Sequence, residues 1–258
     1  MKQDMYELFD VSGKVALITG ASGGFGTTAA KALAAAGAKI MATGRSSAKL
    51  EPLVNQIREA GGQAACVSGD PVNHEDVKRV VERTVETFGA IDILIPAAGV
   101  NNIRPIVEQP LADWEEVIDV NVKGTWLFCK EAGRHMIAQG RGGKVILVSS
   151  PRGELGMSRY TAYSPSKAAI NLMAKSLACE WGSHKINVNV VAPTVFRTPM
   201  TQWIYDDPAA RENFLKRIPM GRLGEPEDFI GALIFLSSRA SDFITGVIIY
   251  VDGGYTSG

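Results

Sequence analysis

Residues 19–26 read Thr-Gly-Ala-Ser-Gly-Gly-Phe-Gly and separate a β-prone apolar run, Val15–Thr19, from an alanine-rich segment, Thr27–Ala36. Alanine favours helix and Gly37 ends it, so the pattern predicts a strand, a glycine-rich turn and a helix in that order. Glycines in such a turn let the backbone approach a pyrophosphate closely, and a helix N-terminus favours its negative charge. The stretch therefore predicts the first strand–helix unit of a dinucleotide-binding fold.

Strands and helices continue to alternate along the chain. Further strands are predicted at Lys39–Thr43, Ala64–Val67, Ile91–Ile95, Lys144–Val148, Ile186–Val191 and Val247–Val251, and further helices at Ala48–Ala60, His74–Phe88, Asp113–Ala138, Tyr160–Trp181 and Pro226–Leu236. Each parallel crossover needs a connecting helix, so this order predicts a doubly wound parallel seven-stranded sheet with helices on both faces. The 258 residues fit one such α/β domain, residues 1–258.

One segment, residues 194–219, interrupts the alternation after the sixth strand. Four prolines, Pro193, Pro199, Pro208 and Pro219, accompany a polar stretch that also holds Phe196, Met200, Trp203 and Tyr205. An irregular segment of this length is typical of a mobile substrate lid, and a fixed surface excursion is the alternative. We call residues 194–219 the lid segment.

Composition excludes several classes of function. The 27 lysine and arginine residues balance 27 aspartate and glutamate residues, so there is no net charge to attract nucleic acid. Met1–Asp10 lacks the basic and apolar regions of a signal peptide, and no apolar run is long enough to span a bilayer. The three cysteines and three histidines lack paired or metal-ligand spacing, which favours a cytoplasmic protein with reduced thiols and no metal.

The glycine-rich turn also fits a second motif. Gly20-Ala21-Ser22-Gly23-Gly24 matches G-x-S-x-G, the nucleophile elbow of α/β-hydrolases. That elbow normally follows several strands, and His184 is the only downstream histidine that offers itself as a partner. A hydrolase is therefore the weaker interpretation.

Three side chains predict proton chemistry at the carboxyl edge of the sheet. Tyr163 and Lys167 are four residues apart on a predicted helix, so they share one face, and a nearby ammonium is expected to lower the pKa of the phenol. Ser150 ends the fifth strand, at the edge where open α/β sheets bind ligands, and its hydroxyl can polarise a carbonyl. Together they predict an acid/base site acting on a carbonyl or an alcohol.

The glycine pattern T-G-x-x-x-G-x-G, Asn121, Ser150 and Tyr163-x-x-x-Lys167 together resemble the short-chain dehydrogenase/reductase family over essentially the whole chain. The resemblance implies a nicotinamide-dependent enzyme in which Tyr163 transfers the substrate proton. It implies that Lys167 holds the cofactor ribose and lowers the Tyr163 pKa, that Ser150 orients the carbonyl, and that Asn121 supports a proton relay. The nicotinamide carries the hydride, and the protein positions the substrate carbon against it.

The resemblance also implies a set of cofactor contacts. Besides Tyr163 and Lys167 they are Gly20, Ser22, Gly24, Phe25, Gly26, Arg45, Ser46, Asp70, Pro71, Ala97, Ala98, Gly99, Pro193 and Thr198. The chain departs from the family pattern at two positions, with Pro96 in place of an asparagine after strand four and Thr194 in place of a glycine after strand six. Pro96 lacks a backbone donor, which is expected to weaken that strand end.

The end of the second strand predicts which cofactor is used. An acidic side chain there would bind the ribose 2′-hydroxyl of NAD, whereas an arginine accommodates the 2′-phosphate of NADP. Gly44 stands at the acid's position, and Arg45 with Ser46 follows it. NADP is therefore predicted, with NAD as the alternative.

The substrate is predicted from the polar residues near Ser150. Arg152, expected to bind substrate together with Ser150 and Tyr163, gives a cationic pocket that suits a hydroxylated or carboxylated molecule, and the chain ends resemble the gluconate 5-dehydrogenase branch. An NAD-dependent dehydrogenase of a cyclic or aromatic alcohol is the alternative, since Trp203 and Met200 suit such a ring. A non-catalytic dinucleotide-binding regulator is the alternative of another class.

The resemblance further implies a homotetramer that pairs the long helices after strands four and five. The small and apolar residues expected there are Ala168, Ala169, Leu172 and Leu177.

Overall fold

The structure, a computed structural model, describes residues 6–258. Residues 1–5, half of the segment in which no signal peptide is expected, therefore lie outside the described residues. Within residues 6–258 no helix is long and apolar enough to cross a membrane, and no three histidine, cysteine or acidic residues gather as metal ligands would.

Seven strands form one parallel sheet, which confirms the predicted architecture. They are β1 (Val15–Thr19), β2 (Lys39–Gly44), β3 (Gln63–Ser68), β4 (Ile93–Pro96), β5 (Gly143–Val148), β6 (Ile186–Pro193) and β7 (Ile248–Val251). Their order in the sheet is β3-β2-β1-β4-β5-β6-β7. The order reverses between β1 and β4, and the crevice beyond the carboxyl ends of these strands is where open α/β sheets bind ligands.

The helices cover both faces of the sheet. They are α1 (Gly24–Ala35), α2 (Ser47–Glu59), α3 (His74–Phe88), α4 (Leu111–Ile118), α5 (Thr125–Gln139), α6 (Tyr163–Trp181), α7 (Gln202–Asp206), α8 (Pro208–Leu215) and α9 (Ile230–Ser237). One apolar core joins the sheet to α1, α2 and α9, and a second joins its other face to α3, α5 and α6. Helices on both faces are what a fully buried parallel sheet requires.

Three predicted helices differ from the observed ones. The single helix expected over Asp113–Ala138 is divided by a π-helical turn at Asp119–Gly124, which separates α4 from α5. The helix expected from Tyr160 begins at Tyr163, and the one expected over Pro226–Leu236 starts as a 3-10 turn, Pro226–Phe229, before α9. The first two differences lie at the carboxyl edge of the sheet, where the predicted site residues are.

The lid segment is ordered and carries its own small core. It contains α7 and α8, and Asp207 caps α8 by accepting hydrogen bonds from the backbone N–H groups of Ala209 and Ala210. A third apolar cluster gathers Val195, Ile204, Ile218, Leu223 and Tyr255. The lid segment thus has a small apolar cluster of its own, while its Phe196 belongs to the core that joins the sheet to α1, α2 and α9.

Candidate active site

The proposed proton-transfer residues meet at the carboxyl ends of β5 and the start of α6. Ser150 follows β5, Tyr163 is the first residue of α6, and Lys167 lies one turn further. The buried Lys167 ammonium donates a hydrogen bond to the Val148 carbonyl at 2.9 Å, and its Nζ lies 5.5 Å from the centre of the Tyr163 ring. The structure therefore brings the three predicted side chains together, as their spacing indicated.

The protonation of this pair differs from the expectation. Burial raises the pKa of Tyr163 to about 12, while a hydrogen bond with the Ser150 side chain and the charge of Arg152 oppose that rise. Burial also lowers the pKa of Lys167 to about 8. The predicted lowering of the Tyr163 pKa by Lys167 is therefore wrong for this structure, because removal from water dominates and Lys167 is not among the groups that lower this pKa.

Asn121 lies within the π-helical turn that the sequence did not predict. Its side chain accepts a hydrogen bond from the Val100 N–H at 2.8 Å and donates to the Val100 carbonyl and to Ser166 Oγ, each at 3.0 Å. Ser166 Oγ in turn donates to the Tyr163 carbonyl at 2.7 Å. Asn121 therefore ties the loop after β4 to the first turn of α6, and Ser166 is a member of this network that sequence analysis missed.

A cavity of about 330 Å³ opens over the β1/β4 crevice. Seven of the predicted cofactor residues line it: Gly20, Ser22, Arg45, Pro71, Ala97, Ala98 and Gly99. Gly20 packs so closely that a Cβ would stand 2.7 Å from the Ala98 backbone, and a Cβ on Gly26 would stand 2.3 Å from the Gly20 carbonyl oxygen. The glycines are thus required for close packing of strand, turn and helix, as the motif predicts.

The end of this cavity at β2 fits a phosphorylated ribose. Thr43 Oγ1 is buried and has no hydrogen-bond partner among the described residues, so a polar ligand group is needed to satisfy it. Arg45 and Lys49 line the same end, and Gly44 offers no acidic group there. Sequence analysis missed Lys49, which lies in the first turn of α2.

The remaining predicted cofactor residues border the cavity without lining it. Gly24 starts α1 and faces the Thr198 side chain, and Phe25 packs on Phe196 and Phe229 at ring-centre distances of 5.5 Å. Ser46 precedes α2, Pro193 ends β6, and Asp70 accepts a hydrogen bond from the Val72 N–H. Their contacts to a cofactor stay predictions.

The end of β4 is paired on one side only. Pro96 pairs in register with Thr19 of β1, and Thr19 Oγ1 accepts a hydrogen bond from the Ala98 N–H at 3.2 Å. The register with β5 ends at Leu94, in line with the weakening expected of this strand end.

A smaller cavity, about 80 Å³, lies beside Ser150 and Tyr163. Its other lining residues are Asn101, Ile103, Pro151, Arg152, Met157, Tyr160, Thr194, Val195, Met200, Thr201, Trp203, Ile204, Phe214 and Tyr255. The lid segment supplies about half of this wall, and the rest comes from the loops after β4 and β5, the start of α6 and the turn after β7. The cavity has the position expected of a substrate pocket, and Thr194 forms part of it.

Arg152 is the main charged group of that pocket. It is 7 % exposed, and its guanidinium donates hydrogen bonds to the Gly156 carbonyl at 3.0 Å and to the Tyr255 hydroxyl at 2.7 Å. Both acceptors are neutral, and no carboxylate of the described residues lies within ion-pair distance of it. A buried cation without a counter-ion is costly, so the site is suited to an anionic ligand.

The hydrolase interpretation finds no support in the geometry. Ser22 follows β1 at the carboxyl edge of the sheet, whereas His184 precedes β6 and therefore lies at the amino edge. The two residues cannot form a nucleophile–base pair across the sheet.

A larger cavity, about 720 Å³, lies at the amino edge. None of the predicted site residues lines it, and its buried cation, Lys144, is paired with Asp242, while the exposed Arg141 is paired with Asp92. It has no part in the chemistry described here.

Comparison with known proteins agrees with the fold and the motifs. The family model described as enoyl-(acyl carrier protein) reductase matches residues 20–256. The chain belongs to the short-chain dehydrogenase/reductase family. It is an oxidoreductase of that family, with a single Rossmann-type domain.

Three relatives illustrate the likeness. An uncharacterized oxidoreductase of Mycobacterium tuberculosis is 50 % identical over 96 % of this chain and 93 % of its own. The gluconate 5-dehydrogenase of Gluconobacter oxydans is 36 % identical over 97 % of each chain. A crystal structure of a gluconate 5-dehydrogenase from Burkholderia cenocepacia, in complex with NADP and tartrate, superposes with a TM-score of 0.95 at 35 % identity, covering 98 % of this chain and 99 % of that one.

Proposed function

We propose that this short-chain dehydrogenase/reductase interconverts a secondary alcohol and a ketone in a polyhydroxylated carboxylic acid, such as a sugar acid, with NADP as its cofactor. The observation that carries the substrate class is the buried Arg152 guanidinium, which has only neutral partners among the described residues. A substrate carboxylate would supply the missing negative charge, and arginine binds carboxylates with two parallel hydrogen bonds. The relatives that are named gluconate 5-dehydrogenase support this class.

The proton-transfer roles follow from the site geometry. Bound NADP supplies or accepts the hydride. Tyr163 donates its phenol proton to the ketone oxygen in reduction, and in oxidation its phenolate form accepts the alcohol proton. Ser150 orients that oxygen. Asn121 connects the loop after β4 to the first turn of α6, and Lys167 connects α6 to the end of β5.

The cofactor preference rests on the end of β2. Arg45 and Lys49 place two cations on the cavity there, and the unpartnered Thr43 hydroxyl adds a donor beside them. A 2′-phosphate fits this set, because cations and hydroxyl donors bind phosphate, whereas an NAD-specific site would carry an acid at Gly44. Structural relatives have been crystallised with NADP.

The function is tested by reading nicotinamide absorbance with sugar acids, neutral polyols and cyclic alcohols, each with NADP and with NAD. We expect turnover of a sugar acid with NADP, and a loss of about a thousandfold in kcat in Tyr163→Phe, which keeps the ring and removes the proton. Cofactor binding without turnover of any substrate would instead support the regulator.

Substitutions of Arg152 test whether the enzyme prefers acidic substrates. Arg152→Lys keeps a cation and Arg152→Gln removes it, so the ratio of kcat/KM for a sugar acid to that for a neutral polyol should fall about a hundredfold in Arg152→Gln and by less in Arg152→Lys, which loses only the two parallel hydrogen bonds. A cyclic alcohol turned over equally well by wild type and Arg152→Gln would favour the alternative substrate, for which the cavity offers Met200 and Trp203.

We also propose that the enzyme is a homotetramer that uses the outer faces of α5 and α6. Leu172 is 66 % exposed and Trp126 is 48 % exposed on these helices. The short side chains of Ala168 and Ala169 allow another helix to approach α6 closely. Leu177 packs partly against the sheet core and contributes less to this surface. Exposed large apolar side chains of this kind are typical of protein interfaces.

A further inference from the structure

The chain ends in a tight turn that directs one aromatic side chain inward. After β7, Asp252 accepts hydrogen bonds from the backbone N–H groups of Gly254 and Thr256 through its two carboxylate oxygens, each at 2.9 Å. Gly253 and Gly254 have positive φ angles, +62° and +89°, which the turn requires and other residues rarely adopt. The turn buries Tyr255 to 1 % exposure and fixes it in the wall of the substrate pocket.

Tyr255 connects three parts of the pocket. Its hydroxyl accepts the 2.7 Å hydrogen bond from Arg152 Nη2, and its ring belongs to the apolar cluster of the lid segment. The guanidinium carbon of Arg217, at the end of the lid segment, lies 4.6 Å from the ring centre, and that of Arg152 lies 5.1 Å from it. The C-terminal turn, the lid segment and the loop after β5 therefore meet at this ring.

We propose that Tyr255 is the positioning residue that presents Arg152 to the carboxylate of the substrate, an inference that rests on the proposed function. The guanidinium has five N–H donors, of which the Tyr255 hydroxyl and the Gly156 carbonyl each take one. The remaining donors are free to bind a carboxylate. A guanidinium that is already held in place loses less conformational freedom when it binds, so Tyr255 raises the affinity for acids without touching the reacting carbon.

If Tyr255 positions Arg152, removal of the Tyr255 hydroxyl alone should weaken the binding of acids selectively. Tyr255→Phe keeps the ring in the lid cluster and removes only the hydroxyl that holds Arg152. Tyr205→Phe is the matched control, because Tyr205 packs against the same cluster while its hydroxyl donates to the Gly224 carbonyl instead. Tyrosine-to-phenylalanine changes in one cluster thus separate the Arg152 contact from general packing.

Two four-carbon probes isolate the carboxylate. Tartrate and threitol share a dihydroxy core, but tartrate carries two carboxylates where threitol has two primary alcohols. We expect the dissociation constant of tartrate, measured by calorimetry on the NADP-loaded enzyme, to rise about tenfold in Tyr255→Phe and to stay within about twofold of wild type in Tyr205→Phe. The dissociation constant of threitol should not change in either variant, and kcat for a sugar acid should change less than its KM.

The outcomes separate this inference from the proposed function. If wild type fails to bind tartrate, or if Arg152→Gln binds it as wild type does, the sugar-acid function itself is contradicted. If Arg152→Gln loses tartrate while Tyr255→Phe binds it unchanged, the function stands and Tyr255 has no positioning role. An equal loss of tartrate and threitol in Tyr255→Phe would show a general distortion of the pocket and would also overturn the proposal.

Discussion

Tyr163 and Lys167 share one face of α6, yet burial acts on them in opposite directions. It raises the pKa of the phenol to about 12 and lowers the pKa of the amine to about 8, so both groups are held closer to their neutral forms than in water.

These shifts predict how stability depends on pH. Between about pH 8 and pH 10 unfolded chains keep the Lys167 proton that the folded protein lacks, so the free energy of unfolding rises with pH in that window. Above about pH 10 the folded protein keeps the Tyr163 proton that the unfolded chain loses, and stability falls again. Urea unfolding of the cofactor-free protein at about pH 7.5 and about pH 9.5 should show this rise in wild type and not in Lys167→Met.

Tyr163→Phe is the control for that measurement. It should retain the rise between about pH 8 and pH 10 and reduce the later fall without removing it, because burial also raises the pKa of Cys129 and of Tyr160. Identical pH profiles of wild type and Lys167→Met would contradict the low Lys167 pKa.

An acidic substitution at Gly44 is predicted to change the cofactor preference from NADP toward NAD. A Cβ there would meet only Ser22 Oγ at 3.5 Å and Leu50 Cδ2 at 3.7 Å, which are ordinary contacts, so an acidic side chain can be added without strain. Gly44→Asp places a negative charge beside the proposed 2′-phosphate site, and the KM for NADP should rise about a hundredfold while that for NAD falls. Gly44→Ala, which adds the Cβ without the charge, should leave both KM values nearly unchanged, and NADP preference that survives in Gly44→Asp would argue against this placement.

The individual residues show how far sequence reasoning reaches. Ser150, Tyr163 and Lys167 are predictable because their chemistry depends on spacing along one helix and one strand end. Lys49 and Tyr255 are not, because a lysine in a helix resembles any solvated charge and a tyrosine near a chain end carries no motif. Only the folded chain brings Tyr255 to Arg152, which is 103 residues away in sequence.

At the scale of elements, the strands are predicted well and the helix ends less well. Apolar runs in a parallel sheet are buried on both faces and stand out from their surroundings. The π-helical turn at Asp119–Gly124 has no such signal, since a change from i→i+4 to i→i+5 bonding leaves the apolar pattern almost unaltered. Yet that turn places Asn121 against the loop after β4, which shows that a functional distortion escapes a periodicity argument.

The contact between α5 and α6 predicts a stability effect. Gly133 of α5 packs so closely on the buried Trp181 of α6 that a Cβ would stand 2.6 Å from Cη2 of the indole. Gly133→Ala should therefore lower the free energy of unfolding by about 1–3 kcal/mol, although alanine is the better helix former. Gly231→Ala in α9, where a Cβ meets nothing within 4 Å, should raise it by about 0.5–1 kcal/mol. Urea unfolding of both variants checks the pair, and stabilisation by Gly133→Ala would contradict the close packing.

At the scale of the molecule, two cores fix the sheet and a third, smaller cluster fixes the lid segment. The sheet cores follow from the alternation of strands and helices, so the sequence pattern is enough to predict them. The lid cluster joins residues from β6 onward to the C-terminal turn, and no periodicity links those stretches. Tyr255 therefore ties the lid segment to the C-terminal turn.

The surface of α5 and α6 predicts the state of assembly. Leu172 projects from α6 with two thirds of its area exposed, so a charge at this position would be buried without a partner if four chains pair through this face. Light scattering at micromolar concentration should give wild type a four-chain mass and Leu172→Lys a smaller one, whereas Leu172→Ala, which keeps the face small and apolar, should remain tetrameric. A one-chain mass for wild type, or an unchanged tetramer in Leu172→Lys, would place the assembly surface elsewhere. Because Leu172 does not line the substrate pocket, Leu172→Lys should still bind tartrate, which separates assembly from the active site.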